Sequence, residues 1–171
     1  MYEKSIALLN KSISEELSAV HQYMYFHFQC DNQGYDLLSA LFKKTAIEEM
    51  LHIEKIADRI LFLKGDVELK ASEEVKKIHQ VKDMLDLVSQ MERQAITDYN
   101  QRALECSSHA DSATKKLFEL LVEDEERHYA QFDNELENMA KYGENYLALQ
   151  SIERSKNTFL QATQGMSKDK I

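Results

Sequence analysis

Apolar residues recur every three or four positions along nearly the whole chain, which is the period of an amphipathic α-helix. Each long periodic segment stops at a glycine or a short polar turn. Four long segments show the pattern, at about residues 2–31, 35–64, 81–107 and 111–141. A shorter one follows at about 144–154, and residues 157–171 form a polar tail. The pattern predicts one all-α domain over residues 1–156.

The lengths of the connections predict how the helices are arranged. The turns after the first and third helices are short, so each of them closes an antiparallel hairpin. The segment 66–80 is long enough to run back along the bundle, which makes the second and third helices parallel. A four-helix bundle with one long crossover has the ferritin-like topology. We therefore expect this fold, with a short fifth helix at its C-terminal end.

The two halves of the chain repeat each other at an offset of 76 residues, mainly at polar positions. Each half carries a Glu, a Tyr seven residues later, and a Glu-x-x-His that begins 33 residues after the first Glu. The matched pairs are Glu16 and Glu92, Tyr23 and Tyr99, Cys30 and Cys106, Glu49 and Glu125, and His52 and His128. Because the match lies at polar positions, we interpret the repeated residues as the members of one functional site.

The repeated acidic residues share helical faces with apolar residues. Glu and His three residues apart lie on one face, and Leu38 and Phe42 lie on the face of the second helix that carries this pair. No Lys or Arg lies on these stripes, and buried carboxylates need a counter-charge. Two divalent cations would provide it, since these ligands from four helices are typical of di-iron and di-manganese proteins. The predicted metal ligands are Glu16, Glu49, His52, Glu92, Glu125 and His128.

Tyr23 and Tyr99 lie two helical turns from Glu16 and Glu92. The simplest interpretation is a buried tyrosine whose hydroxyl finds a partner. We expect that partner to be a carboxylate of the metal site. Supply of an electron to the site is the alternative role.

Composition and charge narrow the functional class. The chain has 171 residues, no Pro and 4 Gly, which excludes collagen-like and turn-rich β folds. Its net charge of −9 argues against nucleic acid as a partner. No apolar run is long enough to cross a membrane, and no secretory leader is evident. Cys30 and Cys106 lie at opposite ends of the predicted bundle, so we expect free thiols and a cytoplasmic protein.

Four stretches of this sequence resemble the bacterioferritins, within the ferritin superfamily: EELSAVHQYM, IEEMLH, SQMERQAITDY and EDEERH. The resemblance covers about residues 5–155. It implies two iron ions per subunit, bridged by Glu49 and Glu125. It also implies oxidation of Fe(II) by dioxygen or hydrogen peroxide, mineral storage in a cage of 24 subunits built from two-fold dimers, and a ferredoxin-type reductant.

Met50 follows the bridging Glu49, so its side chain is turned about 100° away from the metal face. It joins a second apolar stripe, formed with Ala46, Ile47, Ile53 and Ala57. The resemblance implies that Met50 is an axial ligand of a haem shared between two subunits of a dimer. Packing at a dimer interface is the alternative.

The sequence departs from the family pattern at one further place. Some bacterioferritins carry an inner-surface iron site with a His and an Asp, where this chain has Lys44 and Glu48. A Lys in place of the His removes a metal ligand and adds a positive charge, so we do not predict an inner-surface iron site in this chain.

Two other functions remain open from the sequence. The first is a discrete di-metal enzyme, such as a rubrerythrin-like peroxidase or a manganese catalase. Rubrerythrins usually add a Cys₄ iron domain, which two cysteines cannot supply. The second is a bundle that acts through protein contacts alone, and this would leave a buried acidic cluster without cations.

Overall fold

Long helices account for most of the structure, a computed structural model that describes residues 2–143, 145–152 and 155–156. The four long helices are α1 (Glu3–Gln33), α2 (Asp36–Phe62), α3 (Val81–Ser108) and α4 (Ser112–Tyr142). Residues 145–152 are also helical, which confirms the short fifth helix. The described residues contain no strand. Positions 153–154 and the predicted tail at 157–171 lie outside the described residues, so the domain boundary stays a prediction.

Two glycines shape the ends of the first hairpin. Gly34 has φ 84° and donates its N–H to the end of α1, so the helix stops where the sequence predicts. The second helix ends at Phe62, before the predicted end, and Lys64 takes the left-handed conformation with φ 64°. Gly65 instead allows a close approach, because a Cβ there would lie 2.8 Å from Cγ2 of Ile6. This contact packs the end of α2 against the start of α1.

The helices form two antiparallel hairpins, α1–α2 and α3–α4, which dock against each other. Contacts between α1 and α3 pair Ser12 with Arg102 and Tyr23 with Glu92, so these two helices run in opposite directions. Since α2 is antiparallel to α1, the second and third helices are parallel. The predicted ferritin-like topology is therefore confirmed.

The crossover between α2 and α3 lies along one polar edge of α1. Side chains spaced four residues apart on α1 share that edge and bond the backbone of the crossover. Asn10 contacts residues 66 and 68, Ser14 contacts Lys70, Ser18 contacts residues 72 and 73, and Gln22 contacts Lys76. These bonds satisfy backbone groups of a segment that has no helix or strand of its own. This row of hydrogen bonds fixes the crossover against α1.

The apolar core is divided into two clusters by a polar layer. One cluster, at the α1–α2 turn, contains Phe26, Phe42 and Phe132. The other, at the opposite end, contains Ile13, Ile60 and Phe118. The positions between them belong to the repeated Glu and His residues. None of the described helices combines the length and hydropathy that a bilayer crossing requires.

Cys30 and Cys106 are buried in different clusters and are free, as predicted. Burial raises the pKa of the Cys30 thiol to about 12 and that of the Cys106 thiol to about 11. Both side chains therefore remain protonated near neutral pH and act as small apolar groups of the core.

Candidate metal centre

The six predicted ligands come together in the polar layer at the middle of the bundle. The long helices bring them there because each ligand lies on the inward stripe of its helix. The exposed fraction of each side chain is small: Glu16 4%, Glu49 1%, His52 2%, Glu92 2%, Glu125 1% and His128 0%. Such complete burial of charged side chains is rare unless they are paired or bind a metal.

The ligand atoms form two overlapping groups. Within each group, one ligand atom per residue lies within 4.8 Å of all the others. The groups are Glu16, Glu49, His52 and Glu125, and Glu49, Glu92, Glu125 and His128. Glu49 and Glu125 belong to both. This arrangement suits two cations that share two bridging carboxylates, with one further Glu and one His each.

Both imidazoles turn the same nitrogen toward the carboxylates. Nδ1 of His52 lies 2.8 Å from Oε2 of Glu49 and 3.3 Å from Oε1 of Glu125. Nδ1 of His128 lies 2.9 Å from Oε1 of Glu49 and 3.1 Å from Oε2 of Glu125. Each histidine therefore offers Nδ1 as a ligand atom.

Several of these atoms have no hydrogen-bond partner although they are fully buried. They are Oε1 and Oε2 of Glu49, Nδ1 of His52 and Oε1 of Glu125. They approach one another closely, but without the geometry of a hydrogen bond. A buried polar atom without a partner costs roughly 1–3 kcal/mol. Two cations, one beside each histidine, would together satisfy all four atoms, so the residues present fit a metal pair.

The acidic side chains cannot all ionise in this environment without a cation. Burial, and then the charges of Glu49 and Glu125, raises the pKa of Glu16 well above its ordinary value. The same causes raise the pKa of Glu92. Two of the carboxyl groups therefore favour the protonated state in the metal-free protein, and a divalent cation would replace those protons.

The histidines compensate part of the remaining charge. Burial alone would lower the pKa of His128, but the carboxylates of Glu125 and Glu49 raise it to about 10. The pKa of His52 is also raised, against its burial, by Glu125 and its neighbours. Burial likewise opposes ionisation of Glu125, yet the neighbouring imidazoles of His128 and His52 hold its pKa at about 2. Metal-free, the centre thus holds positive imidazoles in place of metal ions.

Each tyrosine contacts the glutamate of the other half of the chain. Tyr23 on α1 donates its hydroxyl to Oε1 of Glu92 on α3, at 2.5 Å. Tyr99 on α3 donates a short hydrogen bond to Oε1 of Glu16 on α1. The antiparallel arrangement of α1 and α3 produces this exchange, because it places residue 23 beside 92 and residue 99 beside 16. Both hydroxyls therefore orient carboxylates of the candidate centre.

Two further carboxylates, which we did not predict from the sequence as part of the site, contact the centre from outside. Nε2 of His128 lies 2.8 Å from Oε2 of Glu48, and Nε2 of His52 lies 3.1 Å from Oδ2 of Asp124. The signal was present, because Glu48 and Asp124 are also 76 residues apart. A histidine that binds a metal through one nitrogen commonly donates its other N–H to such a carboxylate.

The prediction that no cation lies on the inward stripes is wrong for α3. Arg102 is 3% exposed and its guanidinium carbon lies 5.4 Å from the ring centre of Tyr99. It donates 2.8 Å bonds to Oγ of Ser12 and to Oε1 of Glu15. Because its long side chain reaches past the core to Glu15, it neutralises that residue and not the predicted ligands.

A cavity of about 370 Å³ lies between α1 and α3, under the crossover. Its inner end is lined by predicted ligands, among them Glu49 and Glu125. Its outer end is lined by exposed Glu73 and Glu74 and by half-buried Asp98. An acidic path therefore leads from the surface to the buried carboxylates.

The second apolar stripe of α2 is exposed over part of its length. Met50 is 52% exposed, between Ile47 at 45% and Leu51 at 44%. Phe62, further along α2, is 71% exposed. Ala46 is buried in the core, so the exposed stripe is narrower than predicted.

Lys44, at the position where some relatives of the predicted family have a His, pairs with Oε1 of Glu48 at 3.5 Å.

Comparisons with known proteins agree with this geometry. The Ferritin-like domain family matches residues 6–142. A bacterioferritin of Desulfovibrio desulfuricans is 34% identical over 145 residues, which is 85% of this chain and 81% of that protein. One from Brucella melitensis is 32% identical, over 82% of this chain and 88% of that protein. A crystal structure of the D. desulfuricans protein, which describes its diiron site in different catalytic states, matches with a TM-score of 0.85 and 33% identity over 86% of each chain.

Proposed function

The chain belongs to the bacterioferritins, within the ferritin-like family, and on that premise we propose that it is a ferroxidase that stores iron. It oxidises Fe(II) to Fe(III) at a two-iron centre within each subunit, and a multi-subunit cage holds the ferric product. The observation that supports this most directly is the pair of overlapping ligand groups that share Glu49 and Glu125.

The six buried side chains would hold the two iron ions. Glu49 and Glu125 would be shared by both ions, Glu16 and His52 would serve one of them, and Glu92 and His128 would serve the other. When bound, the iron ions supply the electrons that reduce dioxygen or hydrogen peroxide. The apolar clusters on both sides exclude bulk water from the centre, which strengthens the electrostatic attraction between cations and carboxylates.

The tyrosines keep the two terminal carboxylates in place during turnover. Tyr23 holds Glu92 and Tyr99 holds Glu16 by hydrogen bonds from buried hydroxyls. Burial and nearby carboxylates raise the pKa of both phenols well above their ordinary value, so both remain proton donors. Their role is therefore orientation of a ligand, and not proton abstraction.

Fe(II) reaches the centre through the cavity between α1 and α3. The acidic residues at its outer end attract a divalent cation, and the unpartnered oxygens of Glu49 and Glu125 lie at its inner end. Among the described residues that line this cavity, Lys76 has the one positively charged side chain.

The exposed apolar face of α2 supports the two-fold dimers from which we propose that the cage is built. A two-fold dimer would cover Ile47, Met50 and Leu51, which are too exposed and too close together to remain in water without cost. In such a dimer, one Met50 from each subunit would hold a shared haem through its thioether sulfur. The cage that we propose has 24 subunits. The reductant that releases the iron is a ferredoxin-type protein.

The compartment we propose is the cytoplasm. Cys30 and Cys106 are free thiols, which suits a reducing environment. Neither nucleic acid nor a membrane is part of this proposal, since the net charge of −9 disfavours binding to a polyanion.

Size-exclusion chromatography after anaerobic loading with Fe(II) and admission of oxygen tests the proposal. We expect a large assembly that retains many iron atoms per subunit. A monomer or dimer that never retains more than the two ions of its centres would contradict storage and favour a discrete peroxidase or catalase. A protein that binds no divalent metal would contradict the proposed centre itself.

A further inference from the structure

One guanidinium group joins the two carboxylates that hold the histidines from outside. Arg127 on α4 donates from Nη1 to Oε2 of Glu48 on α2, at 3.1 Å. It donates from Nη2 to Oδ1 of Asp124, one turn earlier on α4, at 3.0 Å. The planar fork of arginine can hold two acceptors in fixed positions, which a lysine ammonium cannot do in the same way.

Each of these carboxylates faces a different histidine. Oε2 of Glu48 accepts from Nε2 of His128 at 2.8 Å, and Oδ2 of Asp124 accepts from Nε2 of His52 at 3.1 Å. A histidine whose Nδ1 binds a metal carries its proton on Nε2. The position of the acceptor at Nε2 therefore sets the plane of the imidazole ring and the direction of the Nδ1 lone pair.

We propose that Arg127 is a positioning residue for the metal centre: it fixes Glu48 and Asp124 together, and through them it orients both imidazoles. The proposal rests on the proposed two-metal function. The guanidinium of Arg127 hydrogen-bonds to Glu48 and Asp124 and not to the imidazole of His52 or His128, so its effect on the metals passes through the two carboxylates.

The contribution of Arg127 differs from that of its neighbours on the same surface. Lys44 lies 3.5 Å from Glu48, and Lys55 lies 3.5 Å from Asp124. Each lysine reaches only one carboxylate, and their side chains are more than half exposed. Among the described residues that contact these two carboxylates from this surface, only Arg127 contacts both of them.

Binding of Co(II) to the metal-free protein tests the proposal without any turnover. Isothermal titration gives the number and affinity of the ions, and the visible absorption of Co(II) reports their geometry. The variants are Arg127→Gln and Arg127→Lys. The control is Lys116→Gln, a loss of one charge at an exposed site of the same helix, several turns away.

We expect the wild type and the control to bind two Co(II) per subunit with equal affinities. Arg127→Gln should weaken both ions by about tenfold, the lower end of the range for loss of a partner behind a metal ligand. Arg127→Lys should weaken them by a similar factor, because it restores the charge without the fork. Affinities within twofold of the wild type in Arg127→Gln, or full rescue by Arg127→Lys, would overturn the proposal.

Two single-carboxylate variants separate positioning from a general loss of charge. In crystals at substoichiometric Co(II), anomalous scattering should show Glu48→Gln with reduced occupancy beside His128 only. Asp124→Asn should show reduced occupancy beside His52 only. Equal loss at both positions in each variant would overturn the proposal. If the wild type takes up no Co(II), the two-metal function itself fails, and this outcome is distinct from an unchanged Arg127→Gln.

Discussion

Tyr23 on α1 donates its hydroxyl to Glu92 on α3, 69 residues away in the other half of the chain. Tyr99 and Glu16 make the reciprocal contact. Each half of the internal repeat therefore provides the tyrosine that orients the carboxylate of the other half. The two hairpins are joined at the centre by the residues that repeat between them.

This exchange makes a prediction about energetic coupling. Tyr23→Phe should lower the free energy of unfolding of the metal-free protein by about 1–3 kcal/mol, since it leaves the Glu92 carboxyl without its partner. In a double-mutant cycle, Tyr23→Phe should couple to Glu92→Gln by about 1 kcal/mol and add independently with Glu16→Gln. Chemical denaturation measures both cycles. Stronger coupling within the same helix would contradict the exchange.

Removal of a bridging carboxylate should stop rapid iron oxidation. Glu49→Gln and Glu125→Gln each remove a charge that both ions share, so we expect the initial rate to fall by about 100-fold or more, beyond the loss typical of residues behind the ligands. Stopped-flow absorbance after Fe(II) addition measures it. Glu54→Gln, which changes an exposed side chain on the same helix as Glu49, is the control. A rate unchanged in both variants would place the site elsewhere.

The metal-free protein should lose stability as the pH rises. The pKa of His128 is raised from 6.5 to about 10, so its contribution is complete below pH 6.5 and is lost as the pH approaches 10. The raised pKa values of Glu16 and Glu92 act in the same direction, because the folded state holds their protons more tightly than the unfolded chain. Thermal unfolding after treatment with a chelator should show a lower Tm at pH 9 than at pH 6.5.

Bound metal should reverse part of this pH dependence. Metal ligands must be deprotonated, so the affinity for Co(II) increases over the same pH range. The difference in Tm between the Co(II)-loaded and the chelator-treated protein should therefore be larger at pH 9 than at pH 6.5. A constant difference would show that the titrating groups are not the metal ligands.

The exposed position of Met50 allows a direct test of haem binding. We expect the wild type, reconstituted with haem, to show a Soret band that is lost in Met50→Leu, a change that keeps the apolar volume but removes the sulfur. Met24→Leu, on α1 and partly buried, is the control. Absence of the band from haem-saturated wild-type protein would contradict the haem proposal, but not the ferroxidase proposal.

The sequence predicted the helices well because no proline interrupts them and their apolar stripes are continuous. The end of α1 at Gly34 follows from a local preference for the left-handed conformation. The end of α2 does not follow from local preference. The left-handed residue at that end is Lys64, and the glycine at position 65 is explained by its close approach to Ile6, a contact between residues distant in the chain.

The inward direction of the six predicted ligands could also be read from the sequence, since each lies on an apolar stripe and repeats at a fixed offset. The individual residues that contact these ligands could not be identified from the sequence. The sequence predicted that Tyr23 contacts a carboxylate of the site but did not identify which one, and only the antiparallel packing of α1 against α3 gives Tyr23 its contact with Glu92. Arg102 was missed because the position of a Cα on a stripe does not show where a long side chain ends.

Arg127 illustrates a second limit. The offset of 76 residues relates Glu48 to Asp124, but at the position that corresponds to Arg127 the first half has Leu51. A comparison of the two halves therefore gives no signal for this arginine. Its contacts with two carboxylates on two helices become evident only when α2 and α4 are placed side by side.

The position of the centre between two hairpins also bears on the order of folding. Each hairpin joins helices that are neighbours in sequence, and such local contacts form early. The ligands of either ion come from both hairpins, because Glu16 and His52 belong to one and Glu125 to the other. Neither hairpin can hold the metal pair before the two have docked. Uptake of a metal ion therefore follows the docking of the two hairpins and would report when that last step of folding has occurred. A nascent chain that has emerged only as far as the crossover has no centre at which iron could react.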